Sequence, residues 1–555
     1  MHLESLANEL LLNLFEYLST AHLIRAFDSL NSRFNTLIWV VFRTSNRVDC
    51  RWMSQSQLDF ICQQHLSSIT HRIFSLCLSN DDETPQQIER FFSHGLKLDQ
   101  FIHLRSLSFY HLQSEQMMQN IMIAWYHLHH LTHLKFSKCY FQYEEKDILG
   151  MINSIWSLSE LTHCYLDITF RRTSSFIVPT VISSSLESWI IQGVNCPLND
   201  LTRLFQHTIR LRHLCANIRI NIYNSLLVSP SSSMISLKLK FFSSSNSVHE
   251  IINLFQNMCN LRKLTIETLD LYIDGYQWIQ IIANYLPKLK IFQLKMEFYF
   301  HDRINTKQYV DQLLNSFQTY FWLEERQCLP RIEVSGCRST CSDDYNTSWS
   351  YDHVHILNYR SSSTRDLTLY QSRFVNNQHL SLSFNVDNQF WFIVPRFDCS
   401  ISLEIALHDY SDNIKSQLQT ILDRASHLNL LKFLSWASLD ALLVKLNSAS
   451  VRQLDFRGCD RYYNDLECLS LINLPVGIQC EVLRINVENR MSILDFGTKM
   501  TNIRSLNVRC EDDKWNETLS TSKDEFIDWL QYRLPSTCII TRHTRYTFDI
   551  LLWIC

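Results

Sequence analysis

The chain has 555 residues, and 46% of them are hydrophobic, which is enough to form several domains or one long solenoid. Its formal net charge of −4 and pI ≈ 6.6 give no whole-chain attraction to nucleic acid or to an anionic membrane surface. No apolar run approaches the roughly 20 residues of a membrane-spanning helix, and no basic region with an apolar core opens the chain, so we expect an intracellular protein, cytoplasmic or nuclear.

The N-terminus predicts an amphipathic helix with Asn8 as its N-cap. Its apolar stripe has leucines four residues apart with two further apolar residues beside them: Leu6, Leu10, Leu11, Leu14, Phe15 and Leu18. A second short helix is predicted over residues 23–27, and residues 30–35 lead into a third. Three helices in about 45 residues bury little surface alone, so we expect a partner or the rest of the chain to cover them.

These residues resemble an F-box, in which Leu-Pro-x-Glu-Leu-Leu precedes a helix ending in Phe-x-Tyr-Leu. Ala7 stands where the family has proline, a residue that pre-sets the chain entering a helix. The resemblance implies docking on a Skp-type adaptor through the matching positions, which are Leu6, Ala7, Leu10, Leu11, Phe15, Leu18, Leu23 and Phe27. The alternative is an ordinary N-terminal helical cap packed on the following domain.

After these helices, the pattern L-x-x-L-x-L recurs with starting positions 23 to 31 residues apart. Its copies are Ile73/Leu76/Leu78, Leu104/Leu107/Phe109, Leu131/Leu134/Phe136, Leu161/Cys164/Leu166, Leu186/Trp189/Ile191, Leu211/Leu214/Ala216, Met234/Leu237/Leu239, Leu261/Leu264/Ile266 and Leu289/Phe292/Leu294. Short helices are predicted between copies over residues 114–126, 248–257 and 276–285. The spacing is typical of leucine-rich repeats, which alternate strand and helix around a parallel sheet. Cys139 and Cys459 extend two copies and are predicted to be buried turn residues.

The period fails from about residue 297 to 365, where we predict either an insertion or degenerate repeats with strands at 331–334 and 353–357. It resumes weakly at 379–384 and clearly at Leu428/Leu431/Phe433, Val451/Leu454/Phe456, Cys480/Leu483/Ile485 and Ile503/Leu506/Val508. A helix at 523–534 and strands at 538–542 and 545–553 are suited to capping the last repeat.

The predicted fold class is therefore α/β, with a three-helix F-box followed by a curved solenoid of leucine-rich repeats with parallel strands. The predicted domains are an F-box at 1–45, repeats at 46–296, an irregular insert or degenerate repeats at 297–365, and repeats with a C-terminal cap at 366–555.

The sequence shows no recognisable catalytic or metal-binding motif. The eight glycines form no Gly-x-Gly, which excludes the usual phosphate loops and dinucleotide fingerprints. The 18 cysteines are scattered, so we expect reduced thiols. Two groups of residues could supply zinc ligands, Cys328/Cys337/Cys341 and His127/His129/His130/His133. Neither group has the spacing of a zinc-binding motif. We therefore predict no catalytic residue, metal or cofactor.

An F-box joined to leucine-rich repeats resembles the substrate receptors of Skp–cullin–F-box ubiquitin ligases. The resemblance implies that the helices dock on the Skp-type adaptor, that the repeats hold a protein substrate, and that other subunits transfer ubiquitin. The alternative is a non-catalytic repeat scaffold outside the ubiquitin system, and an enzyme is the third possibility.

The non-leucine strand positions, which should face away from the core, are rich in cations. The candidate substrate-binding residues are Lys135, Arg212, Lys238, Lys240, Arg262, Lys263, Lys290 and Lys295. Clustered cations could receive an acidic or phosphorylated substrate segment. The alternative is an ordinary solvated strand face.

Overall fold

The structure is a computed structural model. It describes residues 3–15, 17–18, 23, 26–27, 30–44, 46–219, 233–242, 248–256, 258–269, 272–300, 312–313, 315–322, 331–336, 356–360, 378–384, 386, 390–391, 394, 396–407, 412–435, 446–459, 461–515, 524–543 and 546–554. The candidate zinc residues Cys328, Cys337 and Cys341 lie outside these residues.

Helices and strands alternate along most of the described chain. The helices are α1 (Asn8–Phe15), α2 (Ser32–Thr44), α3 (Gln55–Ile61), α4 (Ser67–Ile69), α5 (Gln87–Ser93), α6 (Glu115–Ala124), α7 (Glu145–Trp156), α8 (Leu198–His207), α9 (Val248–Phe255), α10 (Gly275–Tyr285), α11 (Asp412–Arg424), α12 (Asp465–Asn473), α13 (Pro475–Ile478), α14 (Arg490–Lys499) and α15 (Glu525–Arg533). The strands of the first sheet are β1 (Arg47–Asp49), β2 (Ser75–Ser79), β3 (Ser106–Tyr110), β4 (His133–Phe141), β5 (His163–Phe170), β6 (Ser188–Pro197), β7 (His213–Arg219), β8 (Ser236–Phe242), β9 (Lys263–Leu269), β10 (Ile291–Phe300) and β11 (Arg331–Gly336). Those of the second are β12 (Ile356–Arg360), β13 (His379–Phe384), β14 (Ser402–Leu407), β15 (Leu430–Ser435), β16 (Gln453–Asp455), β17 (Val482–Val487), β18 (Ser505–Cys510), β19 (Ile539–Arg542) and β20 (Asp549–Trp553).

The chain forms two compact units. The first comprises Met1–Arg51, Leu58–Ser79 and Ile88–Ser339. The second comprises Trp52–Gln57, Asn80–Gln87 and Thr340–Cys555, so it includes two short segments from the early part of the chain. The division at Ser339 falls inside the stretch 297–365, where the repeat pattern fails.

The first sheet has eleven strands that follow chain order and pair in parallel. Every predicted copy of the leucine pattern from residue 73 to 294 falls on one of the strands β2–β10 or on the turn before it, and its apolar side chains are buried. The register aligns corresponding positions, so that Leu76 pairs with Leu107, Leu107 with Leu134 and Leu134 with Cys164. The prediction of parallel strands alternating with helices is confirmed for this sheet.

The two cysteines that extend leucine copies are buried as predicted, but only Cys459 lies in a turn, because Cys139 lies within β4. Cys139 lies with its Sγ 3.9 Å from the carbonyl oxygen of Phe109, and the Sγ of Cys459 lies 3.7 Å from that of Phe433. Burial raises the pKa of the Cys139 thiol to about 12, so this sulfur stays protonated and unreactive. Both cysteines therefore act as small buried residues that bond to the backbone of the preceding strand.

The helices between strands begin at polar caps that the sequence carries. Ser114 accepts a hydrogen bond from the backbone N–H of Met117 at the start of α6, and Asp274 accepts one from Gln277 at the start of α10. The helices predicted at 114–126, 248–257 and 276–285 are observed as α6, α9 and α10. Their apolar residues pack on the sheet because the strands leave one leucine-lined face to be covered.

The second sheet has nine strands, of which β12–β18 are parallel and β20 and β19 are antiparallel. The leucine copies predicted from residue 428 to 508 lie on β15–β18 or immediately beside them, and the predicted terminal helix and strands correspond to α15, β19 and β20. Sequence analysis missed β14, because its first apolar position is occupied by a buried serine, Ser400, before Leu403 and Ile405.

Within the stretch 297–365, the strand predicted at 331–334 is observed as β11. The strand predicted at 353–357 overlaps β12, although residues 351–355 lie outside the described part of the chain. Each of these strands pairs in parallel with its neighbour, β11 with β10 and β12 with β13.

Gly193 has a backbone conformation that only glycine adopts without strain. Its φ is 82°, and a Cβ built there would lie 2.3 Å from the carbonyl oxygen of Ile168. We expect Gly193→Ala to lower the free energy of unfolding by about 2 kcal/mol or more, since a left-handed non-glycine residue and a backbone clash both add cost. Chemical denaturation of the purified chain measures the loss.

Gly150 is the matched control. It lies in α7, and no atom stands within 4 Å of an added Cβ. Gly150→Ala should raise the free energy of unfolding by roughly 0.5–1 kcal/mol, because alanine favours the helix and restricts the unfolded chain. If both substitutions change the free energy of unfolding equally, the left-handed conformation and close contact described for Gly193 in β6 are contradicted.

Candidate functional site

The N-terminal helices have a small aromatic core of their own. The ring of Phe15 lies 4.8 Å from that of Phe27 and 6.4 Å from that of Phe34, measured between centroids. Phe15 is only 1% exposed, and Leu11 and Leu23 are also buried. The F-box resemblance predicts that these three residues contact an adaptor, and in the structure they are buried inside the helical segment.

Three leucines at the edge of the same apolar stripe remain partly exposed. Leu10 is 52% exposed and Leu14 is 46% exposed, and Leu18 beyond the helix end is also exposed. Leu10 and Leu14 are four residues apart, so they lie on one face of the helix. We call Leu10, Leu14 and Leu18 the exposed leucine face. Of the predicted adaptor-binding residues, Leu10 and Leu18 belong to it.

The entry into α1 is held by an arginine that sequence analysis did not single out. Arg33 donates to the carbonyl oxygens of Glu4 and Leu6, and its Nε lies 2.8 Å from the side-chain oxygen of Asn8. Asn8 is therefore not the N-cap as predicted. The capping position is Ala7, whose carbonyl oxygen accepts the first helical bond from Leu11 at 3.1 Å. Arg33 restrains the segment that proline restrains in the F-box pattern.

The remaining positions of the adaptor prediction are partly accessible. Leu6 is half-buried, Ala7 is exposed and Phe27 is half-buried. Of the eight predicted residues, three are buried and Phe27 is half-buried against Phe15, while four are accessible at the start of α1, along it or just beyond it: Leu6, Ala7, Leu10 and Leu18.

The second candidate surface is the polar face of the first sheet, which is the face opposite the buried leucine rows. Four of the predicted substrate-binding lysines lie together there on adjacent strands β8–β10: Lys238, Lys240, Lys263 and Lys295. We call these four residues the basic face. The other predicted cations, Arg212, Arg262 and Lys290, lie in the turns that precede β7, β9 and β10.

Among the side chains that the structure describes, Glu267 is an acid within the basic face. The Nζ of Lys238 lies 2.8 Å from a carboxylate oxygen of Glu267, and the register places Glu267 between Lys240 and Lys295. In the turn before β7, Arg212 is 3.7 Å from Glu187. Glu267 therefore offsets part of the charge of the basic face.

Lys135 is separate from the basic face, since β4 and β8 are four strands apart, roughly 19 Å at about 4.8 Å per strand. Its Nζ lies between two tyrosine rings, 4.8 Å from the centroid of Tyr110 and 4.9 Å from that of Tyr165. Arg51 lies over the other side of this cluster, 4.8 Å from the Tyr110 centroid. Sequence analysis did not include the two tyrosines.

The candidate zinc-binding histidines do not form one cluster. His133 stacks on His163 of the next strand at 4.4 Å, while His130 stacks on His103 at 6.2 Å. Burial and the neighbouring His163 both lower the pKa of His133, which favours its neutral form. Among the described residues, no three His, Cys, Asp or Glu side chains are placed to hold a metal ion.

The third candidate surface is the polar face of the second sheet, where an acidic segment of the same unit lies across β16–β18. One carboxylate oxygen of Asp82 accepts from the Nε of Arg484 at 2.9 Å, and the other accepts from the amide of Asn507 at 3.1 Å. Arg457 stands 3.6 Å away. Burial by itself would raise the pKa of Asp82. The positive charges of Arg484 and Arg457 outweigh that effect and lower the pKa to about 2.

Glu83 makes a parallel set of contacts. Its carboxylate pairs with Arg504 and accepts from the Nε2 of Gln453 at 2.6 Å. Arg504 also lies 3.3 Å from Glu481. Sequence analysis did not identify this surface, because Asp82 and Arg484 are 402 positions apart and neither belongs to a motif.

Comparison with protein families finds no family model that matches the chain, and no curated protein matches it either. The resemblance to an F-box therefore rests on the residues named above. None of the described helices combines the length and apolar character needed to span a bilayer.

Asp82 makes the stability of the second unit depend on pH. A carboxylate with a pKa of about 2 when folded, against 3.8 when free, contributes stability above pH 3.8 that is lost as the pH falls towards 2. The contribution is about 2 kcal/mol. We expect Asp82→Asn to reduce the free energy of unfolding at neutral pH and to have a much smaller effect near pH 2. Denaturation of both proteins across this range measures the difference, and a pH-independent difference would contradict the assignment.

Proposed function

We propose that this protein is a non-catalytic substrate-recognition adaptor of a cullin-type ubiquitin ligase. In this proposal the N-terminal helices form an F-box that docks on a Skp-type subunit. The strands and helices that follow form leucine-rich repeats that hold a protein substrate. Ubiquitin transfer belongs to the other subunits of the ligase, so the chain needs no catalytic residue or cofactor.

The observation that carries the proposal is the incomplete burial of the apolar stripe of α1. A surface helix normally buries its apolar stripe and exposes a polar one. Here Leu11 and Phe15 fill the internal core, while Leu10 and Leu14, at the edge of the same stripe, remain about half exposed. Exposed leucines on a helix that already has its core are costly to leave in water, and a partner surface would remove that cost. The F-box resemblance names the partner as a Skp-type adaptor.

The substrate part of the proposal is supported by the basic face. Lys240, Lys263 and Lys295 stand on adjacent strands of a hydrogen-bonded sheet, which holds their backbones at fixed spacing. Cations on such a scaffold suit an acidic or phosphorylated segment, because charge-assisted hydrogen bonds to carboxylate or phosphate are stronger than neutral ones.

A second candidate is an interaction scaffold outside the ubiquitin system. The burial of Leu11, Phe15 and Leu23 favours it, since internal packing alone would account for these apolar positions of the motif. The scaffold would keep substrate binding on the sheets and would bind no adaptor. Capture of a Skp-type adaptor therefore separates the two functions.

We expect Leu10→Asp combined with Leu14→Asp to weaken capture of a purified Skp-type adaptor at least tenfold. The reason is that two charges would enter a surface that is apolar and is buried in the complex. Because both side chains are about half exposed in the chain itself, the fold should be retained. Binding is measured by titration of the adaptor, and folding by circular dichroism.

The matched control places the same charges on exposed apolar residues elsewhere, Ile102→Asp combined with Ile123→Asp. This variant should bind the adaptor like the wild type. Unchanged adaptor binding by the folded Leu10/Leu14 variant would refute the exposed leucine face. Failure of the wild type to bind any Skp-type adaptor would favour the scaffold.

Charge reversal on the basic face tests the substrate proposal. Lys240→Glu combined with Lys263→Glu should remove acidic or phosphorylated proteins from the set captured by the chain, because attraction becomes repulsion at adjacent strands. Adaptor binding should be unchanged. Mass spectrometry of captured material, with and without phosphatase treatment, gives the result.

Lys97→Glu combined with Lys146→Glu makes the same change of charge at exposed lysines away from the basic face. The control should capture the same proteins as the wild type. If the basic-face variant also captures an unchanged set, the substrate does not bind there.

A further inference from the structure

The turns that lead into β7–β10 are bonded to one another as regularly as the strands that follow them. The backbone N–H of Ile235 donates to the carbonyl oxygen of Arg212 at 2.8 Å, and that of Arg262 donates to Ile235 at 2.8 Å. Lys290 donates in the same way to Arg262, again at 2.8 Å. Neighbouring turns are therefore about 4.8 Å apart, like the strands. We call the exposed cations of these turns the cationic edge: Arg210, Arg212, Arg262, Lys288 and Lys290.

Few acids oppose the charge of the cationic edge. Among the described residues, Glu187 is the one carboxylate within ion-pair distance of it, 3.7 Å from Arg212, and both side chains are partly exposed. The Nζ of Lys288 lies 2.6 Å from a neutral partner, the side-chain oxygen of Asn260. Because like charges on adjacent strands repel, an anionic ligand would relieve the repulsion along this edge. The net charge of −4 for the whole chain makes the local excess of cations distinctive.

Aliphatic side chains lie among these cations. Ile209, beside Arg210, is 60% exposed, and Ile291, beside Lys290, is 49% exposed. Exposed isoleucines next to cations suit a ligand that carries both apolar and acidic groups. A single-stranded nucleic acid would instead stack its bases on aromatic rings, and residues 208–213, 233–236, 259–263 and 287–291 contain no Phe, Tyr or Trp. The chemistry of the edge therefore favours a peptide over a nucleic acid.

We propose that the cationic edge binds an acidic segment of a partner protein in which aspartate and glutamate are interspersed with aliphatic residues. Carboxylates of this segment would pair with Arg212 and Arg262, whose planar guanidinium groups can each donate two parallel hydrogen bonds to one carboxylate. Its aliphatic side chains would pack on Ile209 and Ile291. The inference uses no residue of the N-terminal helices or of the basic face, so it does not depend on the adaptor proposal.

The test uses the full chain and a fluorescein-labelled peptide of about twelve residues that repeats Glu-Asp-Leu. Such a peptide is roughly 40 Å long when extended, against about 14 Å from β7 to β10. Arg262→Glu combined with Lys290→Glu should weaken its binding at least about tenfold, because attraction becomes repulsion on adjacent turns. Fluorescence anisotropy measures the affinity, which should also fall as salt is raised. Both side chains are exposed, so circular dichroism should show a retained fold.

Two control variants locate the peptide. Lys97→Glu combined with Lys146→Glu makes the same change of charge at exposed lysines away from the edge and should bind like the wild type. Lys240→Glu combined with Lys263→Glu changes the basic face and should leave most of the binding intact. Loss of binding in the basic-face variant, with unchanged binding by the edge variant, would place the peptide on the basic face and overturn the proposal.

A peptide that repeats Glu-Asp-Ser tests the apolar contribution. The wild type should bind it more weakly than the leucine peptide, and Ile209→Ser combined with Ile291→Ser should remove that difference. Equal binding of the two peptides by the wild type would overturn the proposal, as would tighter binding of a labelled oligouridine of the same length. Unchanged binding by a folded edge variant would also overturn it. If that variant does not fold, Arg262→Gln combined with Lys290→Gln makes the same test, because it removes the charges without adding repulsion.

Discussion

The register between parallel strands is the constraint on which the rest of the structure depends. In the first sheet each strand places its leucine-pattern residues directly beside those of the next, as Leu237 beside Leu264 and Leu264 beside Phe292. Strand side chains alternate between faces, so a slip of one residue would move the apolar set into water. The rows of buried residues and the backbone hydrogen bonds therefore reinforce the same pairing, and each repeat is stabilised by its neighbours.

This register also determines which side chains are neighbours on the polar faces. Because alternate residues must face away from the core, a charged side chain on one strand lies next to the side chains at the same and diagonal positions of the next strand. Lys432 pairs with Glu404 at the same position on the second sheet, and Lys238 reaches Glu267 diagonally, since Glu267 is in register with Lys240. The polar face of β16–β18 shows the opposite outcome, because Asp82 reaches Arg484 from a loop.

The N-terminal helices are stabilised differently from the sheets. They are too short to bury much surface, yet Phe15, Phe27 and Phe34 form a compact aromatic cluster, and Arg33 holds the entry of α1. The internal core uses Leu11 and Phe15 of α1 and leaves the adjacent exposed leucine face only partly covered. Different residues of α1 therefore form the internal core and the exposed leucine face. The exposed residues can be substituted without unfolding the segment.

Leucine spacing was enough to predict the repeating strands, their parallel alternation with helices, and the terminal helix and strands, because it reports local periodicity and burial. It missed β14, where Ser400 takes the place of the first apolar residue. Which residues of the apolar stripe of α1 are buried was settled only by the packing of the helices, since Leu14 and Phe15 are both apolar and periodicity cannot choose between them. The partners of Arg33, Lys238 and Arg484 were also beyond the sequence, because each contact depends on register or on a loop brought from a distant part of the chain.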